Sequence, residues 1–270
     1  MSVITISRGS FSGGKTLAEC LAEKLGYRCV GRETIVERAA AGGVSHEELL
    51  DALLKPPGFL ERFSHKRYQY LTLFQAALAE EVRNGKVVYH GNAGHLMLKG
   101  ASPVLRVRII APLEMRLAMV RKRLNLNSNE ALDYIQKMDE GRKKWTQFLY
   151  GVNWEDPALY DLVVNLEHMD TDEACEVINA LTRTRKCFEL SPECRGELED
   201  LAVASRVRAA LVMNPRTSHL EVEASARGGR ISIRGKVTGT GDLDEIRQVA
   251  VAVPGVKELN LDELIPTTRT

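Results

Sequence analysis

The sequence predicts an α/β protein, with a phosphate-loop three-layer α/β/α parallel sheet followed by a small α+β domain. Three observations carry this expectation. Strand-like and helix-like stretches alternate from the N-terminus to about residue 185, the order of a parallel sheet covered on both faces. The octet Gly9-Ser10-Phe11-Ser12-Gly13-Gly14-Lys15-Thr16 reads G-x-x-x-x-G-K-T and stands between the first strand and the first helix. Beyond residue 200 the pattern becomes helix, strand, strand, helix, strand, with Gly228-Gly229 as a hairpin-like turn.

The elements follow in order. Val3-Ile4-Thr5-Ile6 is a β-branched run suited to a buried strand, and Leu17, Leu21, Ala22 and Leu25 recur at helical spacing behind the octet. Tyr27-Arg28-Cys29-Val30 is a short extended stretch. Arg32 to Ala41 is a helix stopped by Gly42-Gly43, and Ser45 caps another with Glu47 and Glu48 in its first turn. Pro56-Pro57-Gly58 breaks the chain, after which a long helix is expected from about Leu60 to Val82, with Leu71, Phe74, Leu78 and Val82 on one face. Arg62, His65, Lys66 and Arg67 at its start are either a solvated face or a basic patch for an acceptor phosphate.

Lys86 to His90 is a strand ending in Gly91-Asn92-Ala93-Gly94-His95. Loops at the carboxyl ends of parallel strands hold ligands in open α/β sheets, so His90 and His95 are either substrate contacts or structural histidines. In Val104 to Ala111, Leu105, Val107 and Ile109 alternate with Arg106, Arg108 and Ile110. That is polar for a strand covered on both faces and predicts a place near an edge or a partly open face. Pro112 opens a helix with Leu113, Leu117, Val120 and Leu124 inward, and Asn127 with Glu130 predicts a capping box for a helix running to about Phe148. Both helices are basic: Arg116, Arg121, Lys122 and Arg123 lie on the first, and Lys137, Arg142, Lys143 and Lys144 on the second. They are either a lid whose guanidinium groups stabilise a transferring phosphoryl group or two ion-paired surface helices.

Asp161 to Asn165 is the last strand of this part and Thr171 to Thr182 its closing helix; Thr184 to Glu199 is a linker by composition. Leu201 to Met213 and Leu243 to Val253 are helices; Leu220 to Ala224, Arg230 to Gly235 and Val256 to Leu261 are strands. The expected division is therefore a first domain at 1–185, a linker at 186–199 and a second domain at 200–265. The second holds no cluster of acid, base and nucleophile, so binding or interaction is its default role.

The octet defines the chemistry. Gly9, Gly13 and Gly14 let the backbone turn tightly and aim N–H groups at a polyphosphate, and the following helix adds its positive end. Lys15 places a cation on the β- and γ-phosphates, and the Thr16 hydroxyl suits Mg²⁺. Gly9, Ser12, Gly13, Gly14, Lys15 and Thr16 are thus the candidate ATP-binding residues and Thr16 the candidate metal ligand.

Composition adds exclusions. A chain of 270 residues with 44% hydrophobic and 27% charged residues has the make-up of a globular protein, and its net charge of +1 gives no basic field for nucleic acid. No apolar run approaches a membrane-spanning length and the N-terminus enters a strand directly, so a cytoplasmic chain without a transmembrane segment is expected. Cys20, Cys29, Cys175, Cys187 and Cys194 are irregularly spaced and read as free thiols.

Residues 1 to about 185 resemble the cytidylate kinase-like proteins of the phosphate-loop nucleoside monophosphate kinase superfamily. The resemblance rests on Ile6-Ser7-Arg8-Gly9 leading into the octet, on Val107 to Arg116, on Lys137-Met138-Asp139-Glu140-Gly141-Arg142, and on Tyr150 to Trp154 before Leu159 to Asn165. It implies ATP-dependent phosphoryl transfer to a nucleoside monophosphate such as CMP or dCMP, with Lys15 on the donor phosphates, Arg142 as a lid arginine and Arg121 in an assisting role. Relatives often have Gly-Arg after the third strand, where this chain has Gly91-Asn92. The other reading is therefore an ATP-binding sensor of weak turnover. The C-terminal part resembles a BON domain, through Ile231 to Val237 and Val253-Pro254-Gly255-Val256-Lys257, which implies a lipid or protein ligand and a regulatory or tethering role.

Overall fold

The computed structural model describes residues 3–54, 65–91, 93–184 and 191–267. The elements in chain order are β1 (Val3–Arg8), α1 (Gly14–Leu25), β2 (Arg28–Gly31), α2 (Arg32–Ala40), α3 (His46–Leu54), α4 (His65–Val82), β3 (Val87–His90), α5 (Gly94–Met97), β4 (Val104–Ile110), α6 (Leu113–Leu124), α7 (Ser128–Tyr150), β5 (Leu162–Asn165), α8 (Thr171–Thr184), α9 (Pro192–Met213), β6 (Val222–Arg227), β7 (Arg230–Val237), α10 (Thr240–Val251) and β8 (Glu258–Pro266). They form two compact units that are not contiguous in sequence. The first holds the five strands β1–β5 with α1 and α5–α8; the second holds α4, most of α2 and α3, and everything from α9 onward.

In the first unit the sheet order is β2-β3-β1-β4-β5, and every pairing is parallel. β1 is central: Val3 to Ile6 align with Val87 to His90 on one side, and Val3 to Arg8 with Val104 to Ile109 on the other. The chain builds outward to β2, returns through β3 and then crosses β1 to β4. A crevice therefore opens at the carboxyl end of β1, where open α/β sheets bind ligands. Ile4, Ile6, Val88, Leu105, Val107 and Ile109 bury one sheet face against Leu17, Leu21 and Ala22 of α1 and Ala174, Cys175 and Ile178 of α8.

Some expectations need correcting. β4 is an inner strand paired on both sides, one strand in from the β5 edge. Its arginines are satisfied by neighbouring backbone and side chains: the Arg106 guanidinium donates to Asp161 at 3.1 and 3.2 Å, and Arg108 donates to the Trp154 carbonyl at 2.8 Å. Leu113 and Leu124 are 43% and 42% exposed, and Val120 is the buried residue of α6. The capping box is formed: Asn129 and Glu130 donate their N–H groups to Asn127 Oδ1, each at 3.0 Å, and Asn127 donates to Glu130 Oε2 at 2.8 Å. The helix expected from Leu60 is described from His65. Pro56 to Arg62, Asn92 and Cys187 lie outside the described residues.

In the second unit β6 pairs antiparallel with β7, and β7 parallel with β8. Ile231, Ile233 and Leu264 of this sheet pack with Val203, Val207 and Leu211 of α9 and Ile246 and Ala250 of α10. The stretch read as a linker is largely helix, because Ser191 caps α9 by accepting the Cys194 N–H and Pro192 takes the first helical position. The boundaries 1–185 and 200–265 therefore differ from the compact units. α9 also packs along α4. Gln69 donates to the Val212 carbonyl at 3.1 Å, Arg208 donates to Gln75 at 2.9 Å, and Arg206 and Arg83 pair with Glu80 and Glu199. Among the described residues, no helix is long and apolar enough to cross a membrane.

Candidate active site

The octet turns out of β1 and enters α1. Gly13 caps α1 at φ +82°, a left-handed conformation that glycine adopts without steric cost. The Ser12 hydroxyl donates to the Gly9 carbonyl at 3.1 Å, so Ser12 shapes the loop from inside. A Cβ on Gly14 would lie 2.6 Å from Arg8 Cδ and 3.0 Å from Arg8 Cβ. The approach is backed by the base of the Arg8 side chain, so an extra methyl forces the loop to shift. Gly14→Ala is expected to weaken ATP binding by about tenfold or more, since a small misplacement of a positioning group is costly. Titration calorimetry with ATP checks this; unchanged affinity would show that the loop geometry is not what holds the nucleotide.

The loop borders a cleft of about 190 Å³, whose lining includes Gly13, Lys15, Thr16, Arg8, Arg32 and Arg142. Ser10, Phe11, Met119, Arg123, Tyr134 and Met138 complete its wall. Lys15 is half exposed and 3.7 Å from Glu19. Arg142 is largely buried; burial lowers its pKa to about 10 and Asp139 opposes that shift, so it stays cationic at neutral pH.

Asp139 organises the α6–α7 side. Its Oδ1 accepts the Ser10 N–H at 3.2 Å and the Ser10 hydroxyl at 3.1 Å, and its carboxylate pairs with Arg116 and Arg142. Arg116 donates to the Ser10 carbonyl at 2.8 Å, and Arg142 to the Arg8 carbonyl at 3.0 Å. The two arginines are thus aimed at the loop by one carboxylate and two backbone oxygens. Arg142 also lies 5.8 Å from the Trp154 ring, over which Arg108 sits at 4.2 Å.

Lys15, Thr16, Gly13 and Arg142 of the predicted set come together at the cleft, with Gly9, Ser12 and Gly14 shaping the loop. Arg121 does not join them: it is exposed on α6 and absent from the lining, where Arg123 stands instead. Two residues along a helix turn the side chain by about 200°. Arg116, Met119 and Arg123, at spacings of three and four, form the stripe that faces the loop. Arg8, Arg32 and Asp139 carry no site assignment from sequence, and Arg116 and Arg123 are legible only as members of a basic helix. The i, i+3, i+7 spacing was the available signal for the α6 residues; Arg8 and Arg32 carried none of their own.

His90 and His95 are buried, 7% and 4% exposed. Burial pushes their pKa values down to about 4 and about 3, so both are neutral at pH 7. Unfolded histidine titrates near 6.5. Between that value and about 4 the unfolded chain binds more protons, so these residues contribute stability above pH 6.5 that is lost as pH falls. The melting temperature is expected to drop between pH 6.5 and 5, and less steeply in His95→Gln; an unchanged slope in that variant would contradict the assignment.

A phosphate loop on the central strand of a 2-3-1-4-5 parallel sheet, facing a basic helix pair, defines a phosphate-loop kinase-like core. The chain belongs to the cytidylate kinase-like family, whose model matches residues 3–168. It is 31% identical over 184 residues to the cytidylate kinase of Ignicoccus hospitalis, spanning 67% of this chain and 99% of that one. It is 27% identical over 184 residues to the cytidylate kinase of Methanocaldococcus jannaschii, spanning 66% and 96%. The crystal structure of an uncharacterized protein from Eubacterium ventriosum shares the fold at a TM-score of 0.53 and 21% identity, over 68% of this chain and all of that one.

Proposed function

We propose that this protein transfers the γ-phosphoryl group of ATP to the phosphate of a nucleoside monophosphate, CMP or dCMP. The observation that carries the reading is the convergence of Lys15, Thr16 and Arg142 on one cleft at the loop. Relatives at 26–31% identity named cytidylate kinase support the acceptor class. An oxygen of the acceptor phosphate forms the new bond to the γ-phosphorus. The bond from that phosphorus to the β-bridging oxygen breaks, and ADP leaves with the electron pair. Such a transfer needs positioning and charge stabilisation more than a nucleophilic side chain. Lys15 and the loop N–H groups hold the donor phosphates, and Arg142, held by Asp139 and the Arg8 carbonyl, offers charge to the transferring group.

The residues fit magnesium in a limited way. Thr16 presents a hydroxyl to the cleft, while among the described residues no group of three acidic, histidine or cysteine side chains could hold a metal ion. This matches Mg²⁺ carried mainly by nucleotide phosphates, with Thr16 as protein ligand, where it would neutralise phosphate charge. The C-terminal residues lie beyond the matched span, and we assign 200–265 a BON-like ligand- or partner-binding role on their sequence alone. The test is ADP release with ATP, Mg²⁺ and a panel of nucleoside monophosphates. Release dependent on a cytosine nucleotide is expected; release with none, with ATP still bound, would leave a nucleotide sensor.

A further inference from the structure

Phe11, inside the phosphate loop, is held in a conformation that its side chain disfavours. Its φ is +60°, in the left-handed region that bulky residues rarely enter. Glycine takes this φ without steric cost, so the backbone by itself gives no reason for a ring here. Such strain persists only where the surroundings hold it in place. The surroundings are the α6–α7 pair. The Phe11 ring meets Tyr134 of α7 edge to face, with centroids 6.0 Å apart and planes at 74°. Together with Leu117, Leu126 and Tyr134 it packs against the buried Val120, Ala131 and Ile135.

α7 is thereby joined to the loop region at successive points. Tyr134 meets Phe11, the Asp139 carboxylate accepts from Ser10, and Arg142 donates to the Arg8 carbonyl. From Tyr134 to Arg142 the helix advances about 12 Å. Tyr134, Met138 and Arg142 stand four residues apart and all line the loop cleft, so they form one stripe of α7. A turn of the helix at Tyr134 therefore moves Arg142. The joints differ in chemistry. Those at Asp139 and Arg142 are made by charged groups, and an anionic phosphate in the cleft attracts the arginine and repels the carboxylate. The joint at Tyr134 is apolar, and entering charge does not compete with it.

We propose that Phe11 is a positioning residue, the apolar pivot on which α7 keeps Arg142 in register with the phosphate loop once phosphates occupy the cleft. The role rests on the kinase reading, because Arg142 is the group it serves. The ring acts through Arg142, so its removal changes the rate of transfer more than the binding of ATP. The strained φ belongs to the same device, since the packing that fixes Phe11 in the left-handed region is the packing that ties the loop to α7.

The test uses the full chain and the acceptor chosen by the panel assay. Phe11→Gly keeps the left-handed loop and removes the ring. Its kcat is expected to fall about tenfold or more, the scale on which a misplaced stabilising group costs rate, with the KM for ATP within about threefold. Tyr134→Leu is expected to reproduce that pattern, and Phe11→Tyr, which keeps the ring, to recover most of the lost rate. In the Phe11→Gly background, Arg142→Gln is expected to cost less than in the unmodified protein, by a factor of about three or more, because residues that act through one contact are not additive. A raised KM for ATP with kcat unchanged would make the ring a nucleotide contact and overturn the proposal. Fully additive losses with Arg142→Gln, or unchanged constants in Phe11→Gly, would overturn it as well. If the unmodified protein releases no ADP with any monophosphate, the kinase reading fails separately. Hydrogen exchange in the presence of ATP then decides the pivot: faster exchange along residues 128–142 in Phe11→Gly than in the unmodified protein supports it, and equal exchange overturns it.

Discussion

Lys15→Ala will lower kcat by about 10²- to 10³-fold, the effect of removing one electrostatic stabiliser from a phosphoryl-transfer site. The side chain lines the loop cleft, at the start of the helix whose N-terminal end faces the phosphates. Its contact in the structure is an exposed pair with Glu19 at 3.7 Å. Pairs of that kind contribute about 0–1 kcal/mol, so the variant will fold and melt nearly as the unmodified protein does. Loss of rate without loss of fold separates a functional lysine from a structural one. Steady-state ADP release and thermal melting, measured on the same preparation, check both halves. Normal turnover in Lys15→Ala would remove the loop from the mechanism.

The second large effect is on stability. A chain ending at residue 185 will not fold as an independent domain, although the sequence divides there by composition. α4 lies in the second unit, packed along α9 and tied to it through Gln69, Gln75, Glu80 and Arg83. Tyr68 also donates to the Val222 carbonyl of β6 at 2.7 Å. Leu73 and Ala76, on the α4 face that carries Gln69, Glu80 and Arg83, are buried. Exposing a large apolar side chain costs about 1.5–3 kcal/mol, and a domain's whole margin is about 5–15 kcal/mol. Uncovering the α9-facing side of α4 and breaking its hydrogen bonds to α9 removes a sizeable part of it. Thermal unfolding of residues 1–185 is expected to show no cooperative transition for the helices between β2 and β3. A soluble fragment with a sharp melt and full ADP release would contradict the packing described here.

What the sequence disclosed depended on how local each feature is. The octet carries its own context, a strand before and a helix after, so Lys15 and Thr16 were legible in the chain. The capping box at Asn127 is equally local and appears as read. Strand order is not local: only the paired structure shows that β4 lies one strand in from the β5 edge, where Asp161 and Trp154 satisfy its arginines. Arg121 comes from the family resemblance, whereas the helical stripe through Arg116 and Arg123 is what faces the loop. Ser191-Pro192 is a helix-start signal hidden in a polar stretch, and it was read as a linker. Arg8, Arg32 and His90 meet only because β1, α2 and β3 place their ends together, which no spacing along the chain records.

The most direct test of the central claim is to follow an equimolar mixture of ATP and CMP with Mg²⁺ and the full chain by phosphorus NMR. The account predicts ADP and CDP rising together in equal amounts, and neither in the presence of Lys15→Ala. ADP accompanied by inorganic phosphate and no CDP, or ATP left intact while bound, would contradict it.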